Sequence, residues 1–316
     1  MIARRSAIAA LAMLAAPGIL RAQPRPTRML VGFAPGGAAD TIARLVAPGM
    51  GEFLGRSIVV ENRSGASGTI AAAAVAQSAP DGDTLLFATL THATNRFLFR
   101  DLPFDYATAF TPISQVVEWP QILAVKNGFA AETIGAFLDL SRQTRITYGT
   151  PGNATAQHLA GEMLRLRTGA LLEHVPYRGG ADAARDLAGG VIDAAFMTTS
   201  TALPYVSGNR VRMLAAATPR RLAAYPQTPT IAESGVPGFA LTDWCALFGP
   251  AGLSPGAAER IHAALRHALG QPDVIRRLEA LSSPPVASAP PEFSVFLAAE
   301  SERLGEVIRS ARISLG

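Results

Sequence analysis

The residues best suited to chemistry in this chain form a glycine turn between an apolar strand and a helical pattern. The segment reads Met29-Leu-Val-Gly-Phe-Ala-Pro-Gly-Gly-Ala-Ala-Asp40. A turn of this kind directs several backbone N–H groups and the positive end of a helix dipole at one point, which favours an anion site. Gly36 and Gly37 let the backbone approach a ligand closely because neither has a Cβ. An ordinary βα turn would have the same appearance in this segment alone.

Two further loops combine glycine with hydroxyl side chains directly after a predicted strand. They lie within Ser57-Ile-Val-Val-Glu-Asn-Arg-Ser-Gly-Ala-Ser-Gly-Thr-Ile70 and within Tyr148-Gly-Thr-Pro-Gly-Asn-Ala-Thr-Ala-Gln-His-Leu-Ala-Gly161. Hydroxyls at the start of a helix can cap it, donate to a ligand carboxylate, or do both. Because they recur on two loops predicted to face each other, we weigh ligand binding slightly above capping.

The loops and strand ends define a set of predicted ligand-binding residues. These are Phe33, Gly36, Gly37, Ala38, Asp40, Ser67, Gly68, Thr69, Thr91, His92, Thr150, Asn153, Ala154, Thr155 and Thr199. Asp40 fits a structural role at the first helical turn better than direct contact with a cationic ligand group. Phe33 is either a lid over the ligand or a core residue. Thr91 and His92 are expected at the end of a strand, beside Thr89.

The order of six segments resembles the periplasmic receptors of tripartite tricarboxylate transporters, also called Bug receptors, from about residue 27 to about 313. Besides the three segments above, the resemblance rests on Ala79-Pro-Asp-Gly-Asp-Thr-Leu-Leu-Phe-Ala-Thr89, His174-Val-Pro-Tyr-Arg-Gly-Gly180 and Pro226-Gln-Thr-Pro-Thr-Ile-Ala-Glu-Ser-Gly235. It implies a two-domain α/β periplasmic binding protein of the Venus-flytrap, type II-like class, with its cleft between the domains. It also implies a small carboxylate ligand, held by neutral donors and delivered to membrane transporter subunits.

The segment 196–201 bears on which carboxylate is bound. It reads Phe196-Met-Thr-Thr-Ser-Thr201, follows a predicted strand and includes Thr199. Because it is apolar and hydroxylated, an aromatic or short aliphatic carboxylate fits it better than a citrate-sized trianion or an amino acid.

The N-terminus predicts an exported protein. Arg4 and Arg5 precede an uncharged apolar stretch, and Ala22 offers a cleavage site before Gln23, so residues 1–22 are predicted to be a signal peptide of a periplasmic protein. Their removal takes away three arginines and no acids, which lowers the formal net charge from +4 to +1. The remaining basic residues form no long run, which argues against nucleic acid as a partner. A monomer is expected.

Familiar enzyme and metal-site signatures are absent from the sequence, which contains no HExxH, G-x-S-x-G or GxGxxG pattern. Its single cysteine, Cys245, excludes an intrachain disulfide and a CxxC site. We therefore expect no metal, no cofactor and no catalysis. Two alternatives stay open: an extracytoplasmic enzyme on a similar scaffold, and a ligand sensor for a signalling partner.

Alternating apolar runs and amphipathic patterns predict α/β layers with largely parallel strands. Predicted strands cover 28–34, 57–61, 84–88, 112–117, 122–126, 146–148, 172–175, 193–198, 211–217 and 244–250. Predicted helices cover 38–54, 69–78, 134–144, 155–168, 181–189, 255–269, 272–281 and 291–311. The length after the leader favours two domains. We predict a discontinuous domain 1 (23–123 and 244–316) and a domain 2 (124–243).

Overall fold

Strands and helices alternate throughout residues 25–313, the part of the chain that the computed structural model describes. The strands are β1 (Thr27–Val31), β2 (Ile58–Asn62), β3 (Thr84–Thr89), β4 (Phe110–Lys126), β5 (Ile146–Thr150), β6 (Leu172–Pro176), β7 (Ala194–Thr198), β8 (Val211–Ala216) and β9 (Thr242–Pro250). The α-helices are α1 (Ala38–Leu54), α2 (Thr69–Ala76), α3 (Thr91–Leu98), α4 (Ile134–Ser141), α5 (Ala156–Thr168), α6 (Gly180–Ala188), α7 (Thr199–Ser207), α8 (Pro255–Leu269), α9 (Pro272–Ala280) and α10 (Pro290–Ala311). The predicted signal peptide lies outside these residues.

The strands form two parallel groups joined by antiparallel strands. Their order is β2-β1-β3-β9-β4-β7-β5-β6, and β8 also pairs with β4. In the first group, β1 runs parallel to β2 and β3, and in the second group, β5 runs parallel to β6 and β7. Strands β4 and β9 are antiparallel to their neighbours. The α/β prediction is confirmed, with parallel pairing confined to each group.

The long strand β4 connects the two groups. Two separate strands, 112–117 and 122–126, were predicted here, but the chain stays extended from Phe110 to Lys126. Its first part pairs with β9 as far as Pro120, and from Gln121 onward it pairs with β7 and β8. Continuous pairing on both sides of this point explains why no loop interrupts the strand. The domain limits proposed from the sequence remain a prediction.

The helices α3 and α7 were not predicted, because their buried faces are rich in polar residues. In α3, Thr94 and Asn95 are buried and use their side chains in hydrogen bonds to distant loops. This removes the apolar periodicity by which a helix is recognised in a sequence. The prediction that Thr91 and His92 end a strand is wrong: β3 ends at Thr89, and these two residues begin α3.

The core packs helices against the sheet and holds the strand ends in place. In the first group, α1 packs against α8 over buried side chains that include Ile42, Val46 and Leu265. The C-terminal helix α10 returns to pack against α3 and β4. Within residues 25–313, no helix has both the length and the hydropathy needed to cross a membrane.

Candidate functional site

A cavity lies where the two strand groups meet, and both contribute to its wall. Counting its mouth to solvent, the free space is about 420 Å³. From the first group and the strands β4 and β9 it is lined by Phe33, Gly37, Ala38, Ala39, Thr89, Trp119 and Asp243. From the second group it is lined by Pro151, Thr155, Gln157, Gly180, Met197, Thr198 and Thr201.

Four helices begin at this cavity, and they differ in how their first turns are capped. Thr155 and Thr198 are the N-caps of α5 and α7, and each accepts an N–H hydrogen bond of 3.3 Å from the first turn. The N-caps of α1 and α6 are Gly37 and Gly179, and no described side chain caps either helix. Their first N–H groups, at the positive ends of the helix dipoles, are therefore suited to an anion.

The contacts between the two groups place these helix starts close together. A Cβ added to Gly179 would lie 2.8 Å from the Cβ of Ala34, so the glycine turn and the start of α6 are in direct contact. The Ser67 hydroxyl donates to the carbonyl of Asn153, and the Thr94 hydroxyl donates to that of Ala154 at 2.9 Å. The two groups are thus closed over the cavity.

The charge of the cavity wall is unusual for an anion site. Among the described residues that line it there is no Lys, Arg or His, and Asp243 is the one acidic residue. Its Oδ1 accepts hydrogen bonds from the backbone N–H groups of Trp244 (2.8 Å) and Leu90 (3.3 Å), and Oδ2 accepts a longer one from Gln157 (3.4 Å). Burial outweighs these bonds and raises the pKa of Asp243 to about 7.

Trp119 is the neighbour of Asp243 on the adjacent strand. The antiparallel register pairs Trp119 of β4 with Asp243 of β9, so the two side chains lie on the same face of the sheet. Trp119 is 1% exposed, and its indole N–H has no hydrogen-bond partner within residues 25–313. Gln157 is held beside this pair by a 2.7 Å bond to Gln121.

The predicted site residues are divided among three neighbouring spaces. Phe33, Gly37, Ala38 and Thr155 line the cavity described above. Ser67 and Asn153, again with Phe33, line an adjacent outer cleft of about 630 Å³. Gly68, Thr91 and His92 line a small internal space behind Phe33. The predicted residues that line none of these three spaces are Gly36, Asp40, Thr69, Thr150, Ala154 and Thr199.

Asp40 holds the glycine turn in shape. Its carboxylate accepts hydrogen bonds from the Gly36 N–H (3.0 Å), the Arg44 guanidinium (2.9 Å) and the Asn62 amide (2.9 Å). Burial raises the pKa of Asp40, but these hydrogen bonds together lower it below its ordinary value. Gly36 has φ of 79°, a conformation that favours glycine, whereas Gly37 has φ of −75°. The positive φ in this turn therefore belongs to Gly36.

Three other predicted residues use their side chains within the protein. The ring of His92 stacks on Phe248 with a centroid distance of 3.8 Å, and burial lowers its pKa to about 3. The Thr150 hydroxyl lies 2.6 Å from Nε2 of His174. The Thr199 hydroxyl donates to the carbonyl of Leu281 at 2.8 Å, because Thr198 rather than Thr199 caps α7.

Sequence reasoning missed several of the residues that line the cavity. Thr198 and Thr201 lay within the segment already singled out, and their i, i+3 spacing is typical of a hydroxyl cap. Trp119 and Asp243 carried no local signal, because they meet only through the long-range pairing of β4 with β9. Gln157 carried none either, because it reaches them from α5 through its hydrogen bond to Gln121 of β4. The described residues contain no cluster of three or more His, Cys, Asp or Glu side chains that could hold a metal ion.

Comparison with known proteins identifies the family. Residues 42–313 match the model of the tripartite tricarboxylate transporter family receptor. The chain is 31% identical to Protein BugT of Bordetella pertussis over 311 residues, which cover 97% of this chain and 95% of BugT.

Two solved structures from Rhodopseudomonas palustris have the same fold. Rpa4515 with adipate has a TM-score of 0.89 and 32% identity, covering 92% of this chain and 99% of that one. MatC (Rpa3494) with bound malate has a TM-score of 0.85 and 30% identity, covering 90% and 99%. These likenesses confirm both the family resemblance and the two-domain periplasmic-binding-protein fold predicted from the sequence. The chain belongs to the receptor family of the tripartite tricarboxylate transporters.

Proposed function

We propose that this chain is a periplasmic solute receptor that binds a small carboxylate in the cavity and delivers it to the membrane subunits of a tripartite tricarboxylate-type transporter. One observation carries the proposal. The glycine-capped starts of α1 and α6 open onto the same space, one from each strand group. An anion placed there gains from both helix dipoles without any cationic side chain.

The remaining wall of the cavity suits an organic acid. Phe33, Trp119 and Met197 offer apolar surface for a short carbon skeleton, and the hydroxyls of Thr198 and Thr201 offer polar contacts. A few polar groups on a mostly apolar wall are typical of small-molecule sites. The two related structures contain adipate and malate, both of which are small carboxylates, and this supports the same ligand class here.

Closure couples ligand binding to the shape of the receptor. A carboxylate between the starts of α1 and α6 touches both strand groups, so it binds the closed arrangement more tightly than an open one. A ligand with such a preference shifts the population toward the closed form. We propose that the membrane subunits recognise this closed form, because it reports that the ligand is present.

The predicted signal peptide and the family support a periplasmic location and transport as the role. A receptor returns its ligand unchanged, whereas an enzyme on this scaffold would convert it. Incubation with each candidate acid, followed by mass spectrometry of the released compound, distinguishes the two. Uptake by cells lacking this receptor, with and without its gene restored, distinguishes transport from signalling.

Isothermal titration calorimetry of the chain beginning at Gln23 tests the binding proposal. The probes are adipate and malate, each matched with its uncharged diamide. We expect at least one acid to bind and its diamide to bind at least about 100-fold more weakly, because the amide carries no charge for the helix dipoles to stabilise. Equal binding of acid and diamide, or no binding of either acid, would contradict the proposal.

A further inference from the structure

Two buried polar side chains, one a hydrogen-bond donor and the other an acceptor, line the cavity from adjacent strands. Trp119 and Asp243 are directly opposed on β4 and β9, and both side chains line the cavity and are almost fully buried. The indole N–H of Trp119 has no partner among the described residues. Among the described residues, the one hydrogen bond to Oδ2 of Asp243 is the 3.4 Å contact from Gln157, whose amide makes a shorter bond, 2.7 Å, to Gln121. Both polar atoms therefore have unused hydrogen-bonding capacity.

Buried polar groups of this kind discriminate strongly between ligands. A ligand that leaves them unpaired binds more weakly, because the desolvation free energy of these groups is then not offset by hydrogen bonds. A ligand group that satisfies the pair must accept from the indole and also bond to the Asp243 carboxyl. An ammonium group can donate to Asp243 but cannot accept from Trp119. A second carboxylate can accept from Trp119 but is repelled by an ionised Asp243. A hydroxyl group donates one hydrogen bond and accepts others, so it matches both.

We propose that Trp119 and Asp243 form a specificity-determining pair that selects carboxylates bearing a hydroxyl group. This inference rests on the proposed function, in which the starts of α1 and α6 hold the ligand's carboxylate. The ligand's hydroxyl then contacts Trp119 and Asp243. The hydroxyl donates to Oδ2 of Asp243 and its oxygen accepts from Nε1 of Trp119.

The match holds in either protonation state of Asp243. Burial raises the pKa of this carboxyl to about 7, so both states are accessible near neutral pH. Glu300 contributes a smaller upward effect on the same pKa, and the backbone N–H groups of Trp244 and Leu90 and the Gln157 amide oppose it. When Asp243 is ionised, it accepts from the ligand hydroxyl, and when it is protonated, it donates to the hydroxyl oxygen.

Three ligand series, each with a hydroxyl, an unsubstituted and an amino member, test the inference by calorimetry. They are malate, succinate and aspartate; lactate, propionate and alanine; and mandelate, phenylacetate and phenylglycine. In every series that binds, we expect the hydroxyl member to bind about 10- to 100-fold more tightly than the unsubstituted one. Equal affinity of these two members, or tightest binding of the amino acid, would overturn the inference while leaving the carboxylate receptor intact. Failure of all nine compounds would overturn the inference, and failure of adipate as well would contradict the proposed function.

Two substitutions attribute the preference to the pair. Trp119→Phe keeps an aromatic ring but removes the N–H, and Asp243→Ala removes both carboxyl oxygens, so that neither an acceptor nor a donor remains for the ligand hydroxyl. Each should reduce the hydroxyl preference at least about fivefold, mainly by weakening the hydroxyl member. Because the readout is a ratio of two affinities in one folded variant, a general loss of stability does not imitate it.

Trp244→Phe is the matched control. Trp244 follows Asp243 on β9, is equally buried and also has an unpartnered indole N–H within the described residues, but its ring packs against Phe293 and Phe296 rather than lining the cavity. We expect this variant to retain the hydroxyl preference of the parent. If Trp119→Phe also retained it, the pair would not determine specificity.

Discussion

The substitution Gly179→Ala tests whether closure of the two strand groups controls binding. Gly179 has φ of −176° and ψ of 164°, an extended conformation that alanine adopts without strain. The added Cβ would lie 2.8 Å from the Cβ of Ala34 and 3.2 Å from its backbone nitrogen. Since carbon atoms pack best at about 3.5–4.0 Å, the glycine turn and the start of α6 must move apart by roughly 1 Å.

The cost of this overlap falls on the closed form. Overpacking of this kind costs about 1–3 kcal/mol, which corresponds to roughly a 5- to 150-fold increase in the apparent Kd. We expect an open, ligand-free form to avoid the contact, so the unfolding free energy without ligand should change by less than about 0.5 kcal/mol. Calorimetric titration and chemical denaturation measure these two quantities, and X-ray scattering reports the radius of gyration with ligand.

Gly256→Ala is the control for this experiment, because a Cβ at Gly256 would meet no atom of residues 25–313 within 4 Å. It should leave the Kd within about twofold of the parent, as is usual for surface changes that break no contact. An unchanged Kd in Gly179→Ala, together with an unchanged radius of gyration in the bound state, would refute the idea that contact between the groups is required.

Three further predictions concern stability. Asp243→Asn should flatten the pH dependence of the unfolding free energy. The folded-state pKa of Asp243, about 7, lies above the ordinary 3.8. The stabilisation from this carboxyl is therefore fully present below pH 3.8 and is lost as the pH rises toward 7. The variant should gain at most about 4 kcal/mol over the parent at pH 8, measured by urea denaturation; parallel curves would refute this. Thr155→Val should lower the unfolding free energy by about 1–2 kcal/mol. The Kd should stay nearly unchanged, because the Thr155 hydroxyl already donates its proton to the Gly152 carbonyl at 2.8 Å. A tenfold loss of affinity would instead show that this hydroxyl contacts the ligand. Gly161→Ala should cost about 1–3 kcal/mol in calorimetric unfolding, because its Cβ would overlap the buried ring of Tyr148; a stability equal to that of the parent would contradict that packing.

Much of the fold was predictable because its signals are local. The helix 38–54 was predicted with the limits that the structure has, since its apolar period and the preceding glycine turn are both written in consecutive residues. Helix α8 was also predicted with the limits that the structure has, and Ser254 caps its N-terminus directly before a proline. The parallel strands of each group are short apolar runs bounded by turn residues, which is the pattern by which strands are recognised.

The parts of the site that escaped prediction depend on contacts between distant residues. Trp119 and Asp243 are neighbours only because β4 and β9 pair in one particular register, and a single sequence does not reveal that register. Thr199 was chosen over Thr198 and Thr201 because the start of α7 was not predicted, so the direction of each side chain was unknown. His92 looked polar and therefore available for a ligand, but it packs among aromatic rings.

A crystal structure of the receptor with the tightest-binding acid from the titrations tests the central claim most directly. We predict a ligand carboxylate oxygen within about 3.2 Å of backbone N–H groups in the first turn of α1 or α6, with both strand groups in contact with the ligand. A carboxylate bound outside this cavity, or held by an arginine on one strand group alone, would contradict the account.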